Sequence, residues 1–239
     1  MQRRQVQLGR RRLDGEPALR IGHRGCGAQY PENTIAAIEQ SAPHLDGFEL
    51  DVRPCGSGEL VVFHDETLER ATDGTGRVDE TTLEELQELD VFDSGWTIPT
   101  LAEVLSAVPD GLAVNAELKA TGIADDVLEV CEDADVEVLY SSFFPGVLRD
   151  LQSVDESVSI GVLCHEAVDR QFALAEELDA VAFHPSVELA LETDVVEAAH
   201  DRGLAVNVWT AETEADVHQL CERNVDGIIA DRWDVFRGC

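Results

Sequence analysis

The sequence predicts an α/β fold, a TIM-like (β/α)8 barrel with a β-hairpin arm after the second strand. Three observations carry this expectation. Eight short apolar, β-branched segments alternate with helix-length stretches along the 239 residues. From residue 112 onward these segments return about every 21 to 25 residues, the rhythm of repeated βα units in a parallel sheet. One further apolar segment follows the second after only RPCGSG, too short for a parallel crossover but suited to a hairpin. A doubly wound open sheet is the alternative architecture.

The elements follow in order. MQRRQVQLGRRRLDGE carries five arginines against two acids, net +3, with no apolar run behind the basic residues to make it an export leader. It reads as a disordered basic tail over 1–16, ahead of a single barrel domain over 17–239. ALRIGH (18–23) and GFELDV (47–52) are the first two strands. The arm ELVVFHD (59–65) folds back about Ser57, which sets His64 opposite Leu50 and beside Glu49 and Asp51. Residues 66–111 form an elaborated second βα connection with capping boxes at Thr81 with Glu84 and at Thr100 with Glu103. LAVNAEL (112–118), VEVLYSS (136–142), SVSIGVL (157–163), DAVAFH (179–184), LAVNVWT (204–210) and DGIIAD (226–231) complete the eight.

Composition limits the function. With 49 acids against 17 bases the net charge is -32, which excludes a nucleic-acid binder and opposes docking on an anionic membrane. Self-repulsion on this scale is tolerated when salt screens it, the Debye length being about 3 Å at 1 M. Acid excess with one lysine, Lys119, therefore points to a halophilic protein of a high-salt cytoplasm. Six scattered cysteines show neither CxxC nor Cys/His pairing and read as reduced thiols. No run approaches the roughly 18 apolar residues of a membrane span.

In a barrel the reactive groups come from the C-terminal ends of strands. There the sequence places His23-Arg24, Glu49-x-Asp51, His64-Asp65, Glu117-x-Lys119 and Trp209. Residues i and i+2 of a strand share a face, so Glu49 with Asp51, and Glu117 with Lys119, project together. Turned inward, they bring three carboxylates and one ammonium to one mouth. That is a hard-cation set, suited to Mg²⁺, Ca²⁺ or Mn²⁺. Taken one at a time, each pair also fits an outward face paired with helix charges. His23 and His64 adjoin charged neighbours and approach the carboxylates, as an acid and a base would. His165 and His184 end strands as packing residues, and His44, His200 and His218 lie in helical or loop patterns.

The motifs GHRG (22–25), PENT (31–34), FELDV (48–52), VVFHD (61–65), TLERATDGTGRV (67–78), IPTLAEVL (98–105), ELK (117–119), VWT (208–210) and DGIIAD (226–231) together resemble the glycerophosphodiester phosphodiesterases. The resemblance implies metal-dependent hydrolysis of glycerophosphodiesters to glycerol phosphate and an alcohol. It carries His23 and His64 onto the catalytic histidines and Glu49, Asp51 and Glu117 onto the metal ligands. Arg24 and Lys119 fall on the phosphate-contacting positions, with Trp209 at the substrate rim. The chain departs from the family pattern at Ala211-Glu212 and at Ala230, both at the rim of the last two strands. A lysophospholipase D type of barrel and a catalytically inactive binding barrel are the competing readings.

Overall fold

The computed structural model describes residues 6–13 and 15–237. Nine strands form one sheet: β1 (Leu19–His23), β2 (Gly47–Pro54), β3 (Leu60–Val62), β4 (Ala113–Leu118), β5 (Glu137–Ser142), β6 (Ile160–Cys164), β7 (Ala182–Pro185), β8 (Ala205–Ala211) and β9 (Gly227–Ala230). Neighbouring barrel strands are all parallel, and β1 pairs with both β2 and β9, so eight strands close into a barrel. The ninth, β3, pairs antiparallel with β2 as the arm. Its register, Val52 with Val62, extended by the Phe63 N–H bonding Asp51 O at 2.9 Å, sets His64 level with Leu50.

Alternation along each strand explains the closure. On β4, Val114, Ala116 and Leu118 face the helices within the main core, while Ala113, Asn115 and Glu117 take the opposite, lumenal face. The lower lumen is filled by Ile21, Ala113, Leu139, Ala182, Ala205 and Ile229. The carboxylates of the site enter the lumen above this apolar layer, toward the C-terminal ends of the strands. No helix among the described residues is long and apolar enough to cross a membrane.

Three expectations are corrected. The box expected at Thr81 and Glu84 is formed one residue later, by Thr82 and Glu85, while Thr81 Oγ1 donates to Arg77 O at 2.8 Å. Tandem Thr-Thr and Glu-Glu pairs satisfy either register, and the turn Val78–Glu80 claims the first threonine. The box at Thr100 and Glu103 forms as expected. The basic tail expected over 1–16 packs in part: Val6 and Leu8 join the lower lumenal cluster and Leu8 O accepts from Asn207 Nδ2 at 2.8 Å, while Arg10, Arg11 and Leu13 stay exposed. The apolar Val6 and Leu8 among arginines seal the barrel's N-terminal end; residues 1–5 lie outside the described residues. Cys26, Cys55, Cys131 and Cys164 are free thiols, but Cys221 is disulfide-bonded.

Residues of the long second connection build a small core of their own, with Leu68, Ala71, Val78, Leu86, Val91 and Ile98 packed on Val61 and Phe63 of the arm. This packing holds the arm, and with it His64, against β2.

Candidate active site

Strand ends deliver the predicted residues to one cavity of about 200 Å³, lined by His23, Arg24, Glu49, His64, Glu117, Lys119 and Trp209 among others. Asp51 lies beneath them, fully buried. Glu49, Asp51 and Glu117 offer carboxylate oxygens that all lie within 4.8 Å of one another. In register, Asp51 sits beside Glu117 and Glu49 beside Asn115. Glu49 Oε1 is buried without a partner. Three converging carboxylates with an unspent buried oxygen fit a divalent hard cation and no apolar core.

The turn after β1 aims Arg24. Its N–H donates to Glu49 O at 2.8 Å, and the chain then passes through Gly25 at φ 76°. A Cβ on Gly25 would lie 2.7 Å from Ala37 Cβ, so only glycine lets the turn pack on the following helix, Ile35–Ser41. The Arg24 guanidinium pairs with Asp51 at 3.2 Å and with Glu32 at 3.1 Å. Arg70 also binds Glu32, and reaches Asp65 as well. Asn33 Nδ2 donates to Asp51 Oδ2 at 2.9 Å, fixing that carboxylate from the PENT segment. Lys119 bridges Asp51 Oδ1, at 2.9 Å, and Glu117.

Each histidine is backed by a carboxylate. His23 Nδ1 lies 2.6 Å from Asp231 Oδ1, and His64 Nδ1 lies 2.5 Å from Asp65 Oδ1. A carboxylate accepts, so both rings carry their proton on Nδ1 and turn Nε2 elsewhere. For His23 that nitrogen is 3.6 Å from Glu49 Oε2.

Charge state follows from these neighbours. Burial, then Asp51, pushes the Glu49 carboxyl up to about 8. Burial likewise raises Glu117, more than Lys119 lowers it. Asp51 is equally buried, yet Lys119 and Arg24 outweigh that and hold it below the usual carboxylate range. Burial disfavours the Lys119 ammonium, but Asp51 and Glu117 keep it charged. Burial opposes protonation of both histidines. For His23 the Asp231 hydrogen bond and Glu49 overcome it and the pKa rises; for His64 burial outweighs Asp51 and the pKa falls.

The rim is aromatic. Trp209 Nε1 donates to His184 O at 2.7 Å, and its ring meets Phe143 edge-on at 5.3 Å. A groove along Arg53, Glu66, Phe143 and Phe144 leads away from His64, with Phe144 exposed. Other histidines stay outside the chemistry: His44 stacks on Trp233, His200 bonds Asp226, His165 and His218 are exposed, and His184 is fully buried. Sequence reasoning missed the supporting residues Asp231, Glu32, Asn33 and Arg70. All four lie inside quoted motifs, but no local pattern says whom they touch.

Comparison with known proteins agrees with this geometry. Residues 23–235 match the Glycerophosphoryl diester phosphodiesterase family. The chain is 35% identical over 229 residues to a glycerophosphodiester phosphodiesterase of Caldanaerobacter subterraneus subsp. tengcongensis, covering 89% of this chain and 93% of that protein. A phosphodiesterase of Oleispira antarctica, solved with the product sn-glycerol-3-phosphate, superposes with a TM-score of 0.84 at 27% identity, covering 92% of this chain and 96% of that one. The glycerophosphodiester phosphodiesterase of Thermotoga maritima gives a TM-score of 0.78 at 30% identity, covering 92% and 97%.

Proposed function

The chain belongs to the glycerophosphoryl diester phosphodiesterase family and hydrolyses glycerophosphodiesters, and we propose that it does so by histidine acid/base catalysis beside one divalent cation. The observation that carries this reading is the pair of carboxylate-backed imidazoles flanking a buried three-carboxylate cluster. Glu49, Asp51 and Glu117 would hold Mg²⁺, Ca²⁺ or Mn²⁺. When bound, such an ion polarises a non-bridging phosphate oxygen.

Arg24 and Lys119 contact the phosphate and share the charge that develops in the transition state. Molar salt makes long-range steering weak, so these cations act by contact. The compact Lys119 ammonium sits between Asp51 and Glu117. His23 takes the proton of the attacking hydroxyl, either of water or of the glycerol 2-hydroxyl. His64, on the arm, returns a proton to the departing alkoxide. Without a cation the two rings have the opposite order of basicity. His23 Nε2 lies 3.6 Å from Glu49 Oε2, so a cation held by Glu49 would disfavour the His23 imidazolium and favour the neutral base. Trp209 borders the bound glycerol.

A second reading, action on lysolipids, draws on the exposed Phe144 with Phe143 and Trp209 at the rim. The acid-rich, lysine-poor composition supports a high-salt cytoplasm. One assay tests these readings: purified protein in molar KCl on a panel of glycerophosphodiesters and one lysophospholipid, with and without chelator. Turnover of the glycerophosphodiesters that chelator abolishes and a divalent cation restores supports the proposal. Full turnover in excess chelator defeats the cation, and preference for the lysophospholipid favours the second reading.

A further inference from the structure

Two neighbouring strands build a block of four lumenal side chains. Glu49 pairs in register with Asn115, and Asp51 with Glu117. Spacing of two along each strand turns all four to the lumen. Three corners are the clustered carboxylates. The fourth, Asn115, is 1% exposed, lines the same cavity, and has no partner for either its amide oxygen or its amide nitrogen. Across the next strand, Ser141 is the register partner of Glu117. It is fully buried, and its hydroxyl also lacks a partner.

Buried polar groups without partners are rare because each forfeits its hydration for nothing. The same lumenal rows carry Ala113 and Leu139 one layer down, so the barrel packs well enough with apolar residues there. Asn115 and Ser141 are polar next to the carboxylates and their neighbours one layer down are not. Three carboxylates do not fill the shell of a hard cation, which takes six to eight oxygens for Ca²⁺ and retains water for Mg²⁺. Substrate oxygens arrive from the open mouth. On the barrel side, unspent hydrogen-bonding capacity exists at Asn115, at Ser141 and at Glu49 Oε1. A water needs two to four polar partners, and these groups supply them. His184 and Asn207 also hold unpartnered atoms, but on β7 and β8, where they bond each other and Asn207 bonds Leu8.

We propose that Asn115 and Ser141 hold, from the barrel interior, a water that completes the shell of the cation bound by Glu49, Asp51 and Glu117, and thereby set the affinity of that site. The inference rests on the cation reading above and adds two neutral residues to it. Both act on the ion through the water, as outer-shell partners do, and losses of 10- to 100-fold in metal affinity are usual for such partners.

The test is calorimetric titration of Ca²⁺ into chelator-stripped whole protein in molar KCl, for wild type, Asn115→Ala, Ser141→Ala and the double variant. Asn115→Ala should raise the Kd about tenfold or more, and Ser141→Ala should raise it several-fold. Since both hold one water, the double variant should lose about as much as Asn115→Ala alone. Ser141→Ala deletes a hydroxyl that has no partner, so its cation-free Tm should equal or exceed that of wild type. That variant keeps the test available should Asn115→Ala fold poorly. Wild-type affinity in both single variants overturns the proposal and leaves the carboxylate site standing. Losses that multiply in the double variant overturn the shared water. A wild-type protein that takes up no divalent cation overturns the cation reading itself, and this inference with it.

Discussion

His23 Nδ1 lies 2.6 Å from a carboxylate oxygen of Asp231, a residue 208 positions later, so one hydrogen bond ties the first barrel strand to the segment leaving the last. The bond crosses the seam where β1 meets β9. It fixes the ring's tautomer, and in the proposed mechanism it would support the imidazolium formed when His23 takes a proton. Asp231→Asn removes the charge and keeps the shape, so kcat should fall roughly 10²-fold or more with KM little changed. Steady-state kinetics on one glycerophosphodiester checks this. A kcat within twofold of wild type would reduce Asp231 to a packing residue.

Leu8 closes the N-terminal end of the barrel at 1% exposure, among Ile21, Ala113, Leu139 and Ala205. Leu8→Ala should therefore destabilise the fold by about 2 to 5 kcal/mol, the range for a buried leucine. Denaturant unfolding in molar KCl measures it. An unchanged midpoint would return the segment to a tail.

Surface charge sets the response to salt. With a net charge of -32, repulsion in dilute buffer is screened only when ions are added, so Tm should rise between dilute buffer and molar KCl. A Tm that stays level or falls would contradict the high-salt reading.

The buried carboxyl of Glu49 should make the cation-free protein less stable at alkaline pH. Burial pushes this group up to about 8 from 4.5, so between those values the native state holds a proton that the unfolded chain has released, and stability falls as pH rises. His184 acts oppositely. Burial holds its imidazole at about 3 against 6.5, so stability gained on raising the pH through that interval offsets Glu49 below 6.5. The raised His23 adds to the loss above it. In chelator, Tm should therefore fall from pH 6.5 to 8, and saturating Ca²⁺, which holds Glu49 ionised, should raise Tm more at pH 8 than at pH 6. A chelated Tm that climbs across this interval would show that Glu49 is not the buried acid described.

Much of this was legible in the chain because barrels write their strands as recurring apolar segments and their chemistry at strand ends. His23, Glu49, Glu117, Lys119 and Trp209, which line one cavity, stood out together by position at strand ends, with Asp51 beside them, and His64 by the hairpin register, while their roles came from the resemblance. Long-range partners could not. Asp231 sits in an apolar run that says nothing of His23, and Glu32 and Asn33 belong to a loop whose fold depends on Gly25 packing on a helix. Asn115 reads as one polar residue inside a strand until its register partner is known to be Glu49. Thr81 and Thr82 both lie three residues before a glutamate, so local pattern does not choose which of them caps the helix. Leu8 was hidden by the arginines around it, since charge density outweighed two apolar residues.

The central claim, that His23 and His64 serve opposite ends of the reaction, is tested most directly by the leaving-group dependence of their alanine variants. Choline is a strongly basic leaving alkoxide and needs a proton, whereas p-nitrophenolate departs without one. The quantity to measure is the ratio of kcat/KM on glycerophosphocholine to that on a p-nitrophenyl phosphodiester, in which any general loss of binding cancels. The account predicts that this ratio collapses in His64→Ala and stays near wild type in His23→Ala, with His23→Ala depressed on both substrates. A collapse confined to His23→Ala would reverse the two roles, and full activity in either variant would contradict the claim.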